Sequence, residues 1–533
     1  MTRMIIDRQA EAWDGCFVAE LPALHPFVGR DVPWLLEIQG RQFADKPFLH
    51  WAPFEVEGRS WTYAAFVADV RRLAEGLGRR GLRRGDAVVI HLSNRPEFLL
   101  AWFACSWIGA AAVTTNIHSG RGELRYFAEQ AHARAAITEA ALFDDLAACG
   151  AAFEWIAVAE ASTFADLMSA EAAPQRPPEP ALYHSVMYTS GTTSRPKGVV
   201  YTHANVLWAA QRNAAHAGLR PDDVALVNLP LFHANALSYS MLAALWSGGS
   251  LVLQPKFSAS HFWETAERYG CTWASIGPFV TKALKALPPP GAHRFRFWGN
   301  IWGEDAEVEA RWGIPSLGWY GMTETVSHPV LSEFAKPSPP GAVGKPVGEY
   351  GVRLVDADGR DVGIGDTGKL LVKAVRGVGL FYEYLNDPHA TAAAFDAEGW
   401  FDTGDMLTLL EDGSLRFADR EKDMLKVGGE NVAASEVERV IGVVEGVVDV
   451  AVVGKPHPFL GETPLAFVVR DERAPLPTDR ILDVCRQELA KFKQPREIRY
   501  IATLPRTAIG KIDKKALRDI AAGAASAAKG GAA

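Results

Sequence analysis

Between residues 84 and 138 strand-like runs alternate with a helix-like one: GDAVVIHL, then PEFLLAWFACSWIGA, then ARAAIT. A strand that is followed by a helix before the next strand begins returns to the same side of its sheet, so this alternation builds parallel βα units. The rhythm comes back after residue 205 in DVALVNLP, GGSLVLQP and SHFWETAERYG, which leads into CTWASIG. One large α/β body is the economical reading.

Other signals divide the rest of the chain. The proline-rich connector PQRPPEP at 174–180 stands directly before a loop dense in glycine and hydroxyl side chains. After KPSPPGAVGKPVG come short runs with turn signals, VRLVDADGRDVG and GKLLVKA, which predict hairpins and hence a β-rich section closing the large domain. A last module of about a hundred residues begins near Asp419; in ASEVERVIGVVEG, residues Val437, Val440, Ile441 and Val444 share one helical face. The expected organisation is α/β: a large N-terminal domain over 1–419 and a small α+β C-terminal domain over 420–520. The small-residue tail 521–533, AGAASAAKGGAA from Ala522, is expected to be disordered.

Composition narrows the class. A hydrophobic content of 48% over 533 residues supports a sizeable core and excludes a mainly disordered chain. A net charge of −8 lacks the basic footprint that a phosphate-backbone binder needs, so nucleic acid is not an expected partner. The first residues, MTRMIIDRQAEAWDG, break their apolar patch at Asp7 and Arg8, and no apolar run reaches the ~18 residues of a membrane span. The five cysteines, at 16, 105, 149, 271 and 485, have neither disulfide-framework nor metal-ligand spacing. A cytoplasmic protein with reduced structural thiols is the expectation.

The most informative stretch is YTSGTTSRPKGVVYTH at 188–203. It packs Thr189, Ser190, Gly191, Thr192, Thr193 and Lys197 into one loop. Backbone N–H groups exposed by glycine, hydroxyl donors and an ammonium can all turn toward phosphate oxygens. The spacing is not GxxxxGK[ST], because Lys197 precedes its glycine, so a P-loop NTPase is disfavoured.

With this loop in view the chain resembles the acyl-adenylate-forming superfamily, which includes acyl-CoA synthetases, peptide-synthetase adenylation domains and firefly luciferase. The likeness covers nearly the whole chain. After the loop come LPLFH at 229–233, YGMTET at 320–325, GWFDTGD at 399–405, DREKDMLKVGGEN at 419–431 and PRTAIGKI at 505–512, in the family's order. Its nearest branch is that of the carnitine and crotonobetaine CoA ligases, through SGTTSRPKGVV and KFSASHFW.

The resemblance implies a two-step reaction: a carboxylic acid and MgATP give acyl-adenylate and pyrophosphate, then the thiol of coenzyme A displaces AMP. It implies Glu324 as the magnesium ligand, Tyr320 and Gly321 beside the adenine, and Thr323 near the α-phosphate. Asp405 and Arg420 would hold the ribose. Lys511 would bridge the substrate carboxylate and the α-phosphate, and Thr192 would share the catalytic work in the phosphate loop. The charge of Lys511 answers a physical need, since an anionic nucleophile attacking an anionic phosphate requires positive charge where negative charge grows.

The small domain would be mobile, rotating about Lys422, while Gly428, Gly429 and Glu430 would guide the pantetheine arm. His233, Trp298 and Trp319, with Trp302, would shape the acyl pocket. Tryptophans in RFWGNIWGEDAEVEARWG disfavour a long straight acyl chain and suit carnitine-like, branched, alicyclic or aromatic acids. Homodimers are common in the family, so a second copy is a candidate partner. Two alternatives stay open: an enzyme loading a separate carrier protein, and a silent nucleotide-binding paralogue.

Overall fold

The computed structural model describes residues 17–189, 196–288, 290–300, 306–334, 338–339, 341–420, 423–427, 430–457, 460–471, 477–489, 491–506 and 512–529. The chain forms two compact units, one of residues 1–351 and 373–393, the other of 352–372 and 394–533.

The first unit contains the expected parallel sheets. In a six-stranded sheet, Trp155–Val158, Ala133–Thr138, Ala87–His91, Ala111–Thr114 and Tyr183–Thr189 run parallel in that order, and Lys197–Thr202 closes the edge antiparallel. A second parallel series orders Ser316–Tyr320, Phe297–Asn300, Trp273–Ile276, Val224–Val227, Ser250–Leu253 and Pro47–Trp51. Every residue of Ala87–His91 is buried, as a strand covered on both faces must be. Helix Pro96–Ile108 buries all but its first glutamate and last isoleucine, which explains why its sequence is apolar all round. Proline opens that helix, and Gly109, at φ +78°, ends it in a conformation that glycine adopts without strain.

In the second unit, Gly351–Val355, Thr367–Lys373, Phe401–Leu409 and Leu415–Arg420 lie side by side, where turn signals predict hairpins. The remaining strands are Leu425–Val427, Glu430–Val432, Val447–His457, Gly461–Arg470 and Glu497–Tyr500. Helices Ala434–Gly442 and Thr478–Glu488 pack on them, and Val437, Val440, Ile441 and Val444 all enter one core cluster. The last helix runs from Lys514 to Lys529, into the segment whose composition predicts disorder. Alanine, the strongest helix former, supplies that continuation.

Among the described residues no helix is long and apolar enough to cross a membrane. Cys105, Cys149, Cys271 and Cys485 are buried free thiols, and burial pushes Cys105 up to about 12 and Cys485 up to about 11. Buried thiols pack as small apolar groups, and Cys105 and Cys485 do not ionise near neutrality.

Burial also holds histidines neutral. His184 is pushed down to about 3 and His91 to about 4, while His203 and His328 fall well below the usual imidazole value. Because the unfolded chain binds these protons near pH 6.5 and the folded chain does not, their contribution to stability is complete above that pH and is lost as pH falls below it. Each group in that window contributes a slope of about 1.4 kcal/mol per pH unit. The melting temperature should therefore drop steeply from pH 6.5 to 4.5, and His184→Phe should flatten the curve; equal slopes in the two proteins would contradict this account.

Candidate active site

The strand Tyr183–Thr189 leads into the phosphate loop and Lys197–Thr202 leads out of it, with Thr189 and Lys197 directly opposite each other. The hydroxyl of Thr189 donates to the carbonyl of Lys197 at 3.4 Å. Ser190, Gly191, Thr192 and Thr193 lie outside the described residues, as do Lys422, Gly428, Gly429, Lys511 and Trp302.

YGMTET begins at the carboxyl end of the parallel strand Ser316–Tyr320, where ligands of open α/β sheets bind. It continues as a short 3₁₀ turn, Thr323–Thr325. Buried hydroxyls fix its main chain. Tyr201 donates to the Thr323 carbonyl, Tyr239 to that of Met322 at 3.0 Å, and the Tyr350 hydroxyl lies 2.8 Å from that of Thr325. Burial pushes all three phenols up, so each remains a donor. The turn ends at Val326, a β-branched residue held at φ +65°. Such backbone strain persists only where surrounding contacts over-determine it, and it is commonest at functional sites.

Glu324 is 4% exposed. Its Oε1 accepts from the Tyr384 hydroxyl at 3.0 Å, and its backbone carbonyl accepts from Phe381 N–H at 2.9 Å. The face of the same Tyr384 ring carries the Lys197 ammonium, 4.5 Å from the centroid. One tyrosine thus joins the phosphate-loop cation to the acidic residue of YGMTET. Segment 381–385 makes this possible by pairing with 198–200 through Tyr382 N–H, Val200 N–H and Leu385 N–H.

Trp319, the neighbour of Tyr320, stacks on His328 with centroids 4.6 Å apart, and Tyr239 meets the same His328 ring at 4.2 Å. The six-membered ring of the tryptophan lies against Gly299, where any Cβ would meet it at 1.6 Å. Trp298, one residue earlier on the strand, points the opposite way. It packs among Phe262, Trp263, Phe295 and Trp312, so it belongs to the core rather than to the side that Trp319 occupies. His233 is half-buried at the end of the turn that precedes the π-helix Asn235–Met241, its ring 4.6 Å from that of Phe232. In the second unit, Asp405 is 2% exposed and stands opposite Arg420 in the hairpin register, so the two expected ribose residues share one strand pair. Glu430 opens the strand Glu430–Val432 opposite Val427.

The family model for AMP-binding enzymes matches residues 36–385, and that for the AMP-binding enzyme C-terminal domain matches 436–511. The chain belongs to the AMP-binding enzymes. It is 32% identical over 480 residues to a crotonobetaine/carnitine–CoA ligase of Escherichia coli (strain SE11), covering 86% of this chain and 93% of that one. Its fold is similar to the anthranilate CoA ligase AuaEII in complex with anthranoyl-AMP (TM-score 0.84, 25% identity, 94% of this chain and 99% of that one). It is also similar to the O-succinylbenzoate CoA synthetase MenE of Bacillus subtilis with ATP and magnesium (TM-score 0.79, 28% identity, 91% and 98%). This AMP-binding enzyme is an AMP-forming acyl-CoA synthetase, an ATP-dependent acid:CoA ligase that works through an acyl-adenylate.

Sequence reasoning did not find Tyr384, Tyr201, Tyr239, Tyr350 or His328. FYEYLNDP contains a turn signal but nothing that singles out one tyrosine, and the phenols reach the turn from distant parts of the chain. In this AMP-binding enzyme Gly321 is a sensitive point of the turn, since a Cβ there would meet the Tyr239 hydroxyl at 2.8 Å and the Ser327 carbonyl at 2.9 Å. Gly321→Ala should lower kcat/KM by roughly 10²-fold, the size of effect that a 1 Å misplacement produces. An unchanged kcat/KM would show that the turn tolerates displacement.

Proposed function

We propose that this acyl-CoA synthetase activates a small or medium carboxylic acid, carnitine-like, branched, alicyclic or aromatic, using MgATP and then coenzyme A. The observation that carries the reading is Tyr384, whose hydroxyl meets the YGMTET glutamate and whose ring meets the phosphate-loop lysine. It supports a site built for a polyanion and a cation together. The buried carboxylate of Glu324 fits magnesium, which takes one or two carboxylates and fills the rest of its shell from phosphates and water. When bound, that ion neutralises phosphate charge.

The remaining roles belong to the chain. Thr189, Ser190, Gly191, Thr192, Thr193 and Lys197 hold the β- and γ-phosphates; Tyr320, Gly321 and Thr323 hold the adenine and α-phosphate; Asp405 and Arg420 hold the ribose. Lys511 draws the acid carboxylate onto the α-phosphorus, and pyrophosphate leaves with the electrons of the broken P–O bond. AMP is a far better leaving group than oxide, so the thiol of coenzyme A can then attack the acyl carbon. His233 and Trp319 border the acyl pocket, where a tryptophan lying against Gly299 favours compact acids over long straight chains. In this reading residues 420–520 turn as a mobile domain about Lys422, bringing Gly428, Gly429 and Glu430 to the pantetheine arm. Scattered buried thiols support a cytoplasmic enzyme, and the family's habit supports a homodimer.

A panel of these acids, assayed for CoA-dependent AMP formation, should yield at least one that gives both AMP and a thioester. Lys511→Ala should lower AMP formation by about 10²-fold or more, the usual scale for a charge-stabilising group. A loss below tenfold would remove Lys511 from its role, and adenylation without thioester would point to a carrier-protein acceptor.

A further inference from the structure

The chemical steps above assign Tyr384 no task of its own, yet it touches two residues to which they assign opposite charges. Its hydroxyl lies 3.0 Å from Glu324 Oε1 and its ring centroid 4.5 Å from Lys197 Nζ. The side chain is 5% exposed, and its surroundings fix it. Its backbone N–H donates to Thr391 Oγ1 at 3.0 Å and its backbone forms an antiparallel bridge with Val199. The Phe381 ring packs 4.8 Å away, and Asn386, at φ +50°, turns the chain immediately afterwards.

We propose that Tyr384 is a positioning residue that keeps Glu324 and Lys197 ready for the metal and the phosphates of ATP; the inference rests on the reading of the site given above. A carboxylate and an ammonium held near each other attract, and a direct pair would spend each charge on the other. Tyr384 gives each a neutral contact. The phenol donates one hydrogen bond to one carboxylate oxygen, fixing the rotamer without adding a charge. The electron-rich ring face holds the ammonium at a distance where it can still turn to a phosphate. Partners of this kind, which orient a metal-binding carboxylate, commonly change metal affinity by 10- to 100-fold when removed.

The two contacts can be separated by substitution. Tyr384→Phe keeps the ring and removes the hydroxyl; Tyr384→Leu removes both. Calorimetric titration of the full chain with ATP in EDTA, and with ATP in excess magnesium, measures how much the metal strengthens binding without requiring turnover. Tyr384→Phe should reduce that magnesium advantage by about tenfold while leaving metal-free ATP affinity within about twofold of wild type. Tyr384→Leu should reduce it similarly and also weaken metal-free ATP by roughly threefold, through the lost ring contact with Lys197. A wild-type magnesium advantage in Tyr384→Phe overturns the inference. So does a uniform loss of both affinities together with a lowered melting temperature, because a merely structural tyrosine would behave that way. Acid-dependent ATP–pyrophosphate exchange by the wild type keeps the two claims apart. If exchange is absent but the magnesium advantage still depends on the hydroxyl, the functional reading fails and Tyr384 keeps its positioning role.

Discussion

Residues 381–385 tie together the parts of the first unit that matter for phosphate chemistry. On one side they pair with 198–200, the strand that leaves the phosphate loop; on the other, Phe381 N–H donates to the carbonyl of Glu324. This seam adds main-chain hydrogen bonds to the link that the Tyr201 hydroxyl makes between the strand leaving the phosphate loop and the Thr323 carbonyl. Gly198 allows the approach, because any Cβ there would lie 3.0 Å from Val186 and 3.3 Å from Leu385. The position of Tyr384 is thus set by backbone hydrogen bonds, and its ring and hydroxyl inherit that precision.

The YGMTET turn shows the same economy. Three buried phenols and the strained Val326 hold its carbonyls, so Glu324 is presented by a main chain with little freedom to relax. Phenols suit this task because burial keeps them protonated, whereas a carboxylate or amine in the same place would add a charge to a site that already has to balance several.

Much of the fold could be read from sequence because the signals are local. The βα rhythm produces the parallel strands, and the helical spacing of Val437, Val440, Ile441 and Val444 reports the face that enters the core of the second unit. The phosphate loop and YGMTET stand out because their composition is chemical as well as structural. Features that depend on tertiary contact were harder to read. Which face of its strand Trp298 occupies is decided by Gly299 and Trp319, and strand alternation then sends Trp298 into the core. Tyr384 lies 60 residues from Glu324, and no periodicity relates them. The alanine-rich end carries two opposed signals, since low complexity predicts disorder while alanine's own preference favours the helix that runs to Lys529.

The central claim is that the acid carboxylate attacks the α-phosphorus of ATP. It is tested most directly by supplying a turned-over acid with both carboxylate oxygens as ¹⁸O and analysing the products by mass spectrometry. The account predicts one ¹⁸O in AMP, none in pyrophosphate and one retained in the thioester. Label in inorganic phosphate, with ADP as the nucleotide product, would place the attack on the γ-phosphorus and contradict it.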